Sequence, residues 1–477
     1  MEILTQGTMP VIPEPIDTDC SPANVGIAVD VGTTTVAVTA WSMGSREHLA
    51  TVAAKNAQVR YGYDVIRRIS YATRPPATGS GANVESGPSA LHYAIIAQLE
   101  KLFAQVLQAA QANLPRGVHP VVTSIVITGN TTMLSFVCAV PVKGLAAAPF
   151  TPSSLFDFST TWQEVRSGAA TVHSEDLDKP TDEIRKIFAA SVISSETPVY
   201  FPPCIGAFIG ADTVCAMLSA GFPVPGAQTE VHPWESPVTA PRLLADIGTN
   251  SEIALYVPDS PEYSSRILCT SAAAGPAFEA ANISCGMSAV DGAVDKVSYE
   301  NGKLYCHVLG GGAPRGICGS GVVSAVATLY ENKFIDKGGI IQKGFEKMGD
   351  GMRAIPFSPA VYLSQQDIRN LQLAKSAVKT GLQYMLKKAA SLPVFCIAGA
   401  FGTKLSISAA SKIGLIPAEL EKRTVHLGNA ALAGATALLF SPTLRKKCTD
   451  LVKKSYQINL AAVPEFQVRF LQAIDFE

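Results

Sequence analysis

The sequence lacks clustered cysteine. Its ten cysteines, at 20, 138, 204, 215, 269, 285, 306, 318, 396 and 448, form no Cys-x-x-Cys pair, and the closest neighbours lie 11 and 12 positions apart. Zinc and iron–sulfur sites draw on compact cysteine spacings, so the scatter argues against either. The density is also low for a disulfide scaffold. Excess charge of either sign is missing too: 38 Lys and Arg stand against 39 Asp and Glu, a net charge of −1. A general nucleic-acid binder needs a basic face to displace counterions, so no nucleic-acid partner is expected beyond what a local patch could hold. The first 24 residues carry four acidic side chains among prolines and small polar residues, without a basic start or an apolar stretch. They read as a short leader and not as a signal peptide. A membrane span is also missing, although mean hydropathy is +0.22. The suspicious run, 424–444, has no Asp, Glu, Lys or Arg but contains His426, Gly428, Asn429, Gly434, Ser441 and Pro442. A span needs about 20 predominantly apolar residues, so this run reads as a buried helix starting near Asn429. The expectation is a soluble, cytoplasmic protein with reduced thiols and no membrane partner. At 477 residues and 47% apolar content, the chain has enough length for two to three domains at roughly 100–200 residues each, and too much apolar content for general disorder.

What is present is a repeat. Val25–Asp30 and Thr33–Ala40 read as strands around the turn Asp30-Val-Gly-Thr-Thr-Thr35. Ser89–Leu114 has apolar residues at helical spacing, and Val121–Thr128 reads as a strand ending at Gly129-Asn130. Residues 75–88 and 223–241, rich in Gly, Ser and Pro, read as loops. After Pro241 the pattern restarts. Leu243–Asp246 and Glu252–Val257 flank the turn Asp246-Ile-Gly-Thr-Asn-Ser251, 216 residues after the first. Gln365–Ala389 reads as a helix and Val394–Ala398 as a buried strand ending in Gly399-Ala-Phe-Gly402. The tail from Arg445 reads as one short helix and one or two strands. Residues 151–200 have no clear pattern. Two copies of one hairpin, each followed later by a strand ending in glycine, imply two similar α/β halves: 25–225 and 242–440, with 441–477 as an extension.

These turns suit a polyphosphate. Gly32 and Gly248 let the backbone come close, having no Cβ. Thr33, Thr34 and Thr35, and Thr249, Asn250 and Ser251, offer side-chain and N–H donors. Asp30 and Asp246 suit a hydrated Mg²⁺ or an attacking water. A single Asp-x-Gly-Thr is an ordinary strand–turn–strand; two copies with downstream glycine turns make the phosphate reading the stronger one.

The arrangement resembles the superfamily of acetate and sugar kinases, heat-shock chaperones and actin, with two ribonuclease H-like halves and a nucleotide cleft. Asp30–Thr35 resembles its first phosphate motif, Asp246–Ser251 its second, and Ile397–Gly402, with Gly399, Ala400 and Gly402, its adenosine motif. The segments 201–212 and 428–434 stand where its two connecting helices belong, and their small residues would let those helices cross closely and act as a hinge. More narrowly, Lys55-Asn-Ala-Gln58, Tyr61–Ile66, Ile127–Met133, Thr270–Glu279, Gly316–Gly321 and Leu371–Ser376 are similar to the ATPase domain of reductive activators of corrinoid proteins.

That resemblance implies ATP and Mg²⁺ as cofactors, catalytic roles for Asp30 and Asp246, and a corrinoid protein as partner. Gly319, Ser320 and Gly321 are placed at phosphate or ribose, with a plain tight turn as the alternative. Lys375 and Ser376 are placed beside the adenosine, with a solvated helix face as the alternative. Activators of this kind return a corrinoid from Co(II) to Co(I) and usually carry an iron–sulfur domain. Here only Cys20 precedes Asp30, so no cluster is expected and a separate ferredoxin- or flavodoxin-type donor would supply the electron. The seven histidines form no Asp-x-His-x-x-Gly motif, so the chain reads as a partner of a corrinoid protein. A second departure is Glu279-Ala280, where the family more often has Glu-Gly. A small-molecule kinase and a non-catalytic nucleotide-dependent binding protein are the alternatives, and the oligomeric state stays open.

Overall fold

Val25, Ile27, Ala28, Val29 and Val31 have no solvent exposure, as a continuous apolar run predicts for a strand buried on both faces. In the computed structural model they form β1 (Asn24–Val31). The structure describes residues 7–17, 19–74, 86–174, 177–224, 240–259, 264–342 and 353–477. Most of the loops at 75–88 and 223–241 lie outside them. Two units emerge: residues up to Val224 with Asn429–Ser455, and residues to Gly428 with Tyr456–Glu477. Residues 429–440, assigned to the second half by their position in sequence, therefore belong to the first unit.

The first unit is built on β1, β2 (Thr35–Ser42), β3 (His48–Lys55), β4 (Val121–Gly129), β5 (Phe158–Thr161) and β6 (Pro198–Phe201), in the order β3-β2-β1-β4-β6-β5. β2 runs antiparallel to β1 and β3, whereas β4 is parallel to β1 and to β6. The unpatterned stretch 151–200 supplies β5, β6 and the helices Trp162–Ser167 and Asp182–Ala189. The helix expected from Ser89 spans Gly87–Ala110 and lays Leu91, Ile95, Leu99, Leu102, Phe103 and Val106 into the core. The helices Ala211–Ser219 and Ala430–Phe440 also belong here.

The second unit has β7 (Arg242–Ile247), β8 (Asn250–Val257), β9 (Arg266–Ala273), then β10 (Ala293–Glu300), β11 (Lys303–Val308) and β12 (Gly316–Ile317) as a small sheet. The pair β13 (Ala354–Pro356) and β14 (Tyr362–Ser364) follows, then β15 (Val394–Ala398), β16 (Thr424–Gly428) and β17 (Ser455–Gln457). Its main sheet runs β16-β15-β7-β8-β9-β17. β7-β8-β9 is an antiparallel meander and β15 is parallel to β7 and β16. Each unit thus has the first strand of its meander next to a parallel strand, so the duplication in sequence is a duplication in topology. The fold is α/β and actin-like. The tail holds two helices, Pro442–Lys453 and Phe466–Gln472, where one was expected. Ser441 accepts from Leu444 N and Pro442 opens the first of these, a strong start signal.

Among the described residues no helix is long and apolar enough to cross a membrane. The run at 424–444 gives β16 and the buried helix Ala430–Phe440, capped by Asn429 through Leu432 N. All ten cysteines are free thiols.

Candidate functional site: two phosphate-type hairpins

The turn at 30–35 is tight because Gly32 N donates to Thr35 O at 3.0 Å, and a Cβ on Gly32 would lie 2.6 Å from that oxygen. The second strand therefore starts at Thr35, two residues later than expected. The turn's outer carbonyls are held from behind. Asn56 Nδ2 donates to Gly32 O at 2.8 Å and Asn56 N to Thr34 O at 2.8 Å. Arg68, wholly buried, donates to Thr33 O at 2.6 Å, Gly62 O at 2.9 Å and Gln58 Oε1 at 3.3 Å. Asn130 Nδ2 donates to Thr33 Oγ1 at 3.1 Å while its Oδ1 caps the helix Thr131–Val137. Asp30 Oδ2 accepts from Asn429 Nδ2 at 3.2 Å, which ties the carboxylate to the start of Ala430–Phe440.

A third acid shares a neighbour with Asp30, the Cys215 thiol. Asp212 opens the helix Ala211–Ser219, and its Oδ1 accepts from Thr213 N at 2.7 Å. Burial pushes its carboxyl up to about 6. Asp212 and Asp30 both act on the buried Cys215 thiol, which burial first and these charges next push upward.

The second turn follows the same plan with other supports. Glu279 Oε1 accepts from Thr249 Oγ1 at 2.6 Å and from Thr249 N at 3.2 Å. Gly275 N donates to Thr249 O at 2.8 Å, and Ser251 Oγ contacts Gly248 O at 3.4 Å. Asn250 opens β8. Asp246 pairs with Ala398 across β7 and β15, as Asp30 pairs with Thr128 across β1 and β4. The next residue is glycine in both, Gly399 and Gly129. A Cβ on Gly399, whose φ is +86°, would press on the Asp246 carboxylate; one on Gly129 would lie 2.7 Å from Val31 O. These glycines are required by close approach.

Gly399, Ala400 and Gly402 lie in the short helix Gly399–Lys404, and His426 Nδ1 donates to Gly402 O at 2.7 Å. Gly319, Ser320 and Gly321 start the helix Gly319–Glu331 and are buried. Cβ atoms on Gly319 and Gly321 would collide with the carbonyls of Phe278 and Val294, so close packing accounts for both glycines. That packing sets Phe278 on Phe401, ring centroids 4.8 Å apart, next to Glu279. Lys375 and Ser376 are bonded to the protein's own carbonyls. Both are buried in the helix Gln365–Leu386: Lys375 Nζ donates to Ala473 O at 2.5 Å and Asp475 O at 2.7 Å, and Ser376 Oγ to Gln372 O at 2.6 Å. Burial and Lys379 bring the Lys375 ammonium down to about 7. The solvated face does not hold for this pair: both side chains are buried, and the Lys375 ammonium is taken up by the C-terminal segment. Asn56, Arg68, Asp212 and Glu279 escaped the sequence reading as site residues. Each lies in or next to a motif block, but what it supports is brought to it only by the fold.

The C-terminal domain of RACo, the ASKHA domain, matches residues 240–477, and the RACo middle region matches residues 25–172. The corrinoid activation enzyme RamQ of Eubacterium limosum is 30% identical over 468 residues, 92% of this chain and 68% of that protein. The chain belongs to the RACo family. The [Co(II) methylated amine-specific corrinoid protein] reductase of Methanosarcina barkeri is 25% identical over 455 residues, 90% of this chain and 72% of that protein. The solved structure of a reductive activator for corrinoid, iron–sulfur protein superposes with a TM-score of 0.72 at 27% identity, covering 96% of this chain and 67% of that one. The α/β architecture is thus that of the RACo ASKHA domain, with both hairpins inside the regions matched.

Proposed function

We propose that this chain is an ATP-binding and ATP-hydrolysing activator. It supports the reduction of Co(II) to Co(I) in a corrinoid protein of a methyl-transfer system, such as an O-demethylase. The observation that carries the reading is the pair of hairpins, each with an aspartate at the strand end and a glycine-threonine turn, in a RACo-family chain. In this reading the turn residues Gly32–Thr35 and Gly248–Ser251, with Gly399, Ala400 and Gly402, bind the nucleotide. Asp30 and Asp246 hold Mg²⁺ through water. The donor set fits that ion: Mg²⁺ keeps several waters and takes one or two carboxylates plus phosphate oxygens, and no larger metal-binding cluster exists among the described residues. When bound, Mg²⁺ neutralises charge on the phosphates.

One electron converts Co(II) to Co(I). We assign it to a ferredoxin- or flavodoxin-type donor outside these 477 residues, since the scattered cysteines offer no compact ligand set. Each 59 mV of uphill one-electron potential costs about tenfold in equilibrium. ATP binding can offset that by favouring the complex in which the corrinoid is reduced, and hydrolysis to ADP and phosphate resets it. The test mixes the chain, Mg-ATP, a low-potential donor and purified Co(II) corrinoid proteins. Appearance of the Co(I) spectrum only with ATP supports the reading. Its absence with every corrinoid protein, together with ATP turnover stimulated by a small metabolite, would favour a kinase.

A further inference from the structure

The nucleotide reading leaves unused the outer face of residues 59–74 in the first unit. A concavity of about 400 Å³ opens there, lined by Arg60, Tyr61, Tyr63, Arg67 and Arg74. The Arg60 guanidinium lies 4.8 Å from the Tyr61 ring centroid and that of Arg67 lies 4.1 Å from Tyr63. Stacking holds these planar forks in place and lowers the ordering cost of binding. Asp64, which caps the helix Val65–Ala72, lies 3.7 Å from Arg67. Arg60 and Arg74 have no ion-pair partner among the described residues. Within the lining Tyr63 is 56% exposed, and Ile66, in the same helix as Arg67, is 75% exposed. Arginines stacked on tyrosines, next to an exposed aliphatic side chain, have the make-up of a protein-binding hot spot; a small anion or a nucleic acid would have no use for Ile66.

Directly beneath this face lies Arg68. It donates to Gly62 O in the surface loop and to Thr33 O in the first phosphate-type turn. A Cβ on Gly62 would lie 2.7 Å from Arg67 Cβ, so the loop is packed onto the helix with no slack.

We propose that this arginine–tyrosine face docks a protein partner that presents carboxylates around an apolar contact, and that Arg68 couples docking to the Gly32–Thr35 turn. The proposal rests on the activator reading, in which the partner is the corrinoid protein. Complementary charge speeds the encounter, while Tyr63 and Ile66 hold the complex. By linkage, a partner that shifts the turn changes nucleotide affinity by the factor by which nucleotide changes partner affinity.

The test titrates wild type, R60E/R67E, I66A and the remote control R185E with purified Co(II) corrinoid proteins at low and moderate salt. A fluorescent ATP analogue, without partner, reports the fold and the nucleotide site. Expected is at least about tenfold weaker partner binding for R60E/R67E, with a flatter salt dependence, weaker binding for I66A at both salts, and unchanged nucleotide affinity for both. R185E should match wild type. R68K should bind the partner yet lose the partner-induced change in nucleotide affinity. If R60E/R67E binds a corrinoid protein that wild type also binds with equal affinity, the docking proposal fails and the activator reading stands. If wild type binds and activates none, the activator reading fails and takes the proposal with it. Loss of binding by R60E/R67E to acidic vesicles or polyadenylate, with partner binding intact, overturns it in favour of those ligands.

Discussion

Ala280 is the most exposed flaw in the second hairpin's support. It follows Glu279 with φ 56° and ψ 18°, left-handed backbone that costs an L side chain about 1–2 kcal/mol. The departure from Glu-Gly noted in the sequence therefore falls where glycine would be favoured. A280G relieves the strain but gains unfolded-state entropy, so a net stabilisation of about 0.5–1 kcal/mol is expected, read as a small rise in Tm. Asp212 offers a second test. Its folded carboxyl sits near 6, above the ordinary carboxylate value. The folded state therefore binds the extra proton, and the fold loses stability as pH rises from about 4 to about 6. D212N removes that slope and gains up to about 3 kcal/mol at pH 7. If the carboxylate serves hydrolysis beside Asp30, the same variant loses ATP turnover, a stability gain with an activity cost. Urea melts at pH 4.5 and 7 with ATPase assays separate the two effects.

At the scale of elements, the crossing of Ala211–Ser219 and Ala430–Phe440 shows what small residues do. A Cβ on Gly434 would run into the Cys215 carbonyl, and Ser219 Oγ donates to Ala430 O at 2.8 Å. The close crossing expected from 428–434 is there, although the first helix begins at the end of the 201–212 motif and not within it. G434A should cost about 1–3 kcal/mol by overpacking, and Asn429 makes it functional as well, since that cap reaches Asp30. The expected result is a lower Tm together with weaker binding of the ATP analogue; a lower Tm alone would separate the crossing from the turn. Strands and long helices were legible because their apolar periods are long. The pieces in 151–200 were not, since β5, β6 and the six-residue helix Trp162–Ser167 are each too short to carry a period.

For the whole molecule, the prediction is that both hairpins bear on catalysis. D30N and D246N should each abolish ATP hydrolysis and ATP-dependent Co(I) formation. In a non-catalytic nucleotide sensor both would leave partner regulation largely intact. A ligand bound only by the native state at 100 times its Kd stabilises by about 2.7 kcal/mol, so Mg-ATP should raise Tm in wild type and less in either variant. The sequence by itself determined the duplication, the two Asp-x-Gly-Thr turns, the strands that carry them and the family resemblance, because these are local patterns written in consecutive residues. Only the tertiary structure decided that Asn56 and Arg68 brace the first turn and Glu279 the second. It also decided that Asp212 and Asp30 both bear on Cys215, and that Lys375 serves the C-terminal segment. Each of those is a hydrogen bond or a close approach between residues tens to hundreds of positions apart. No local spacing encodes such pairs; they exist once the sheets are closed and burial leaves each polar group one partner to find.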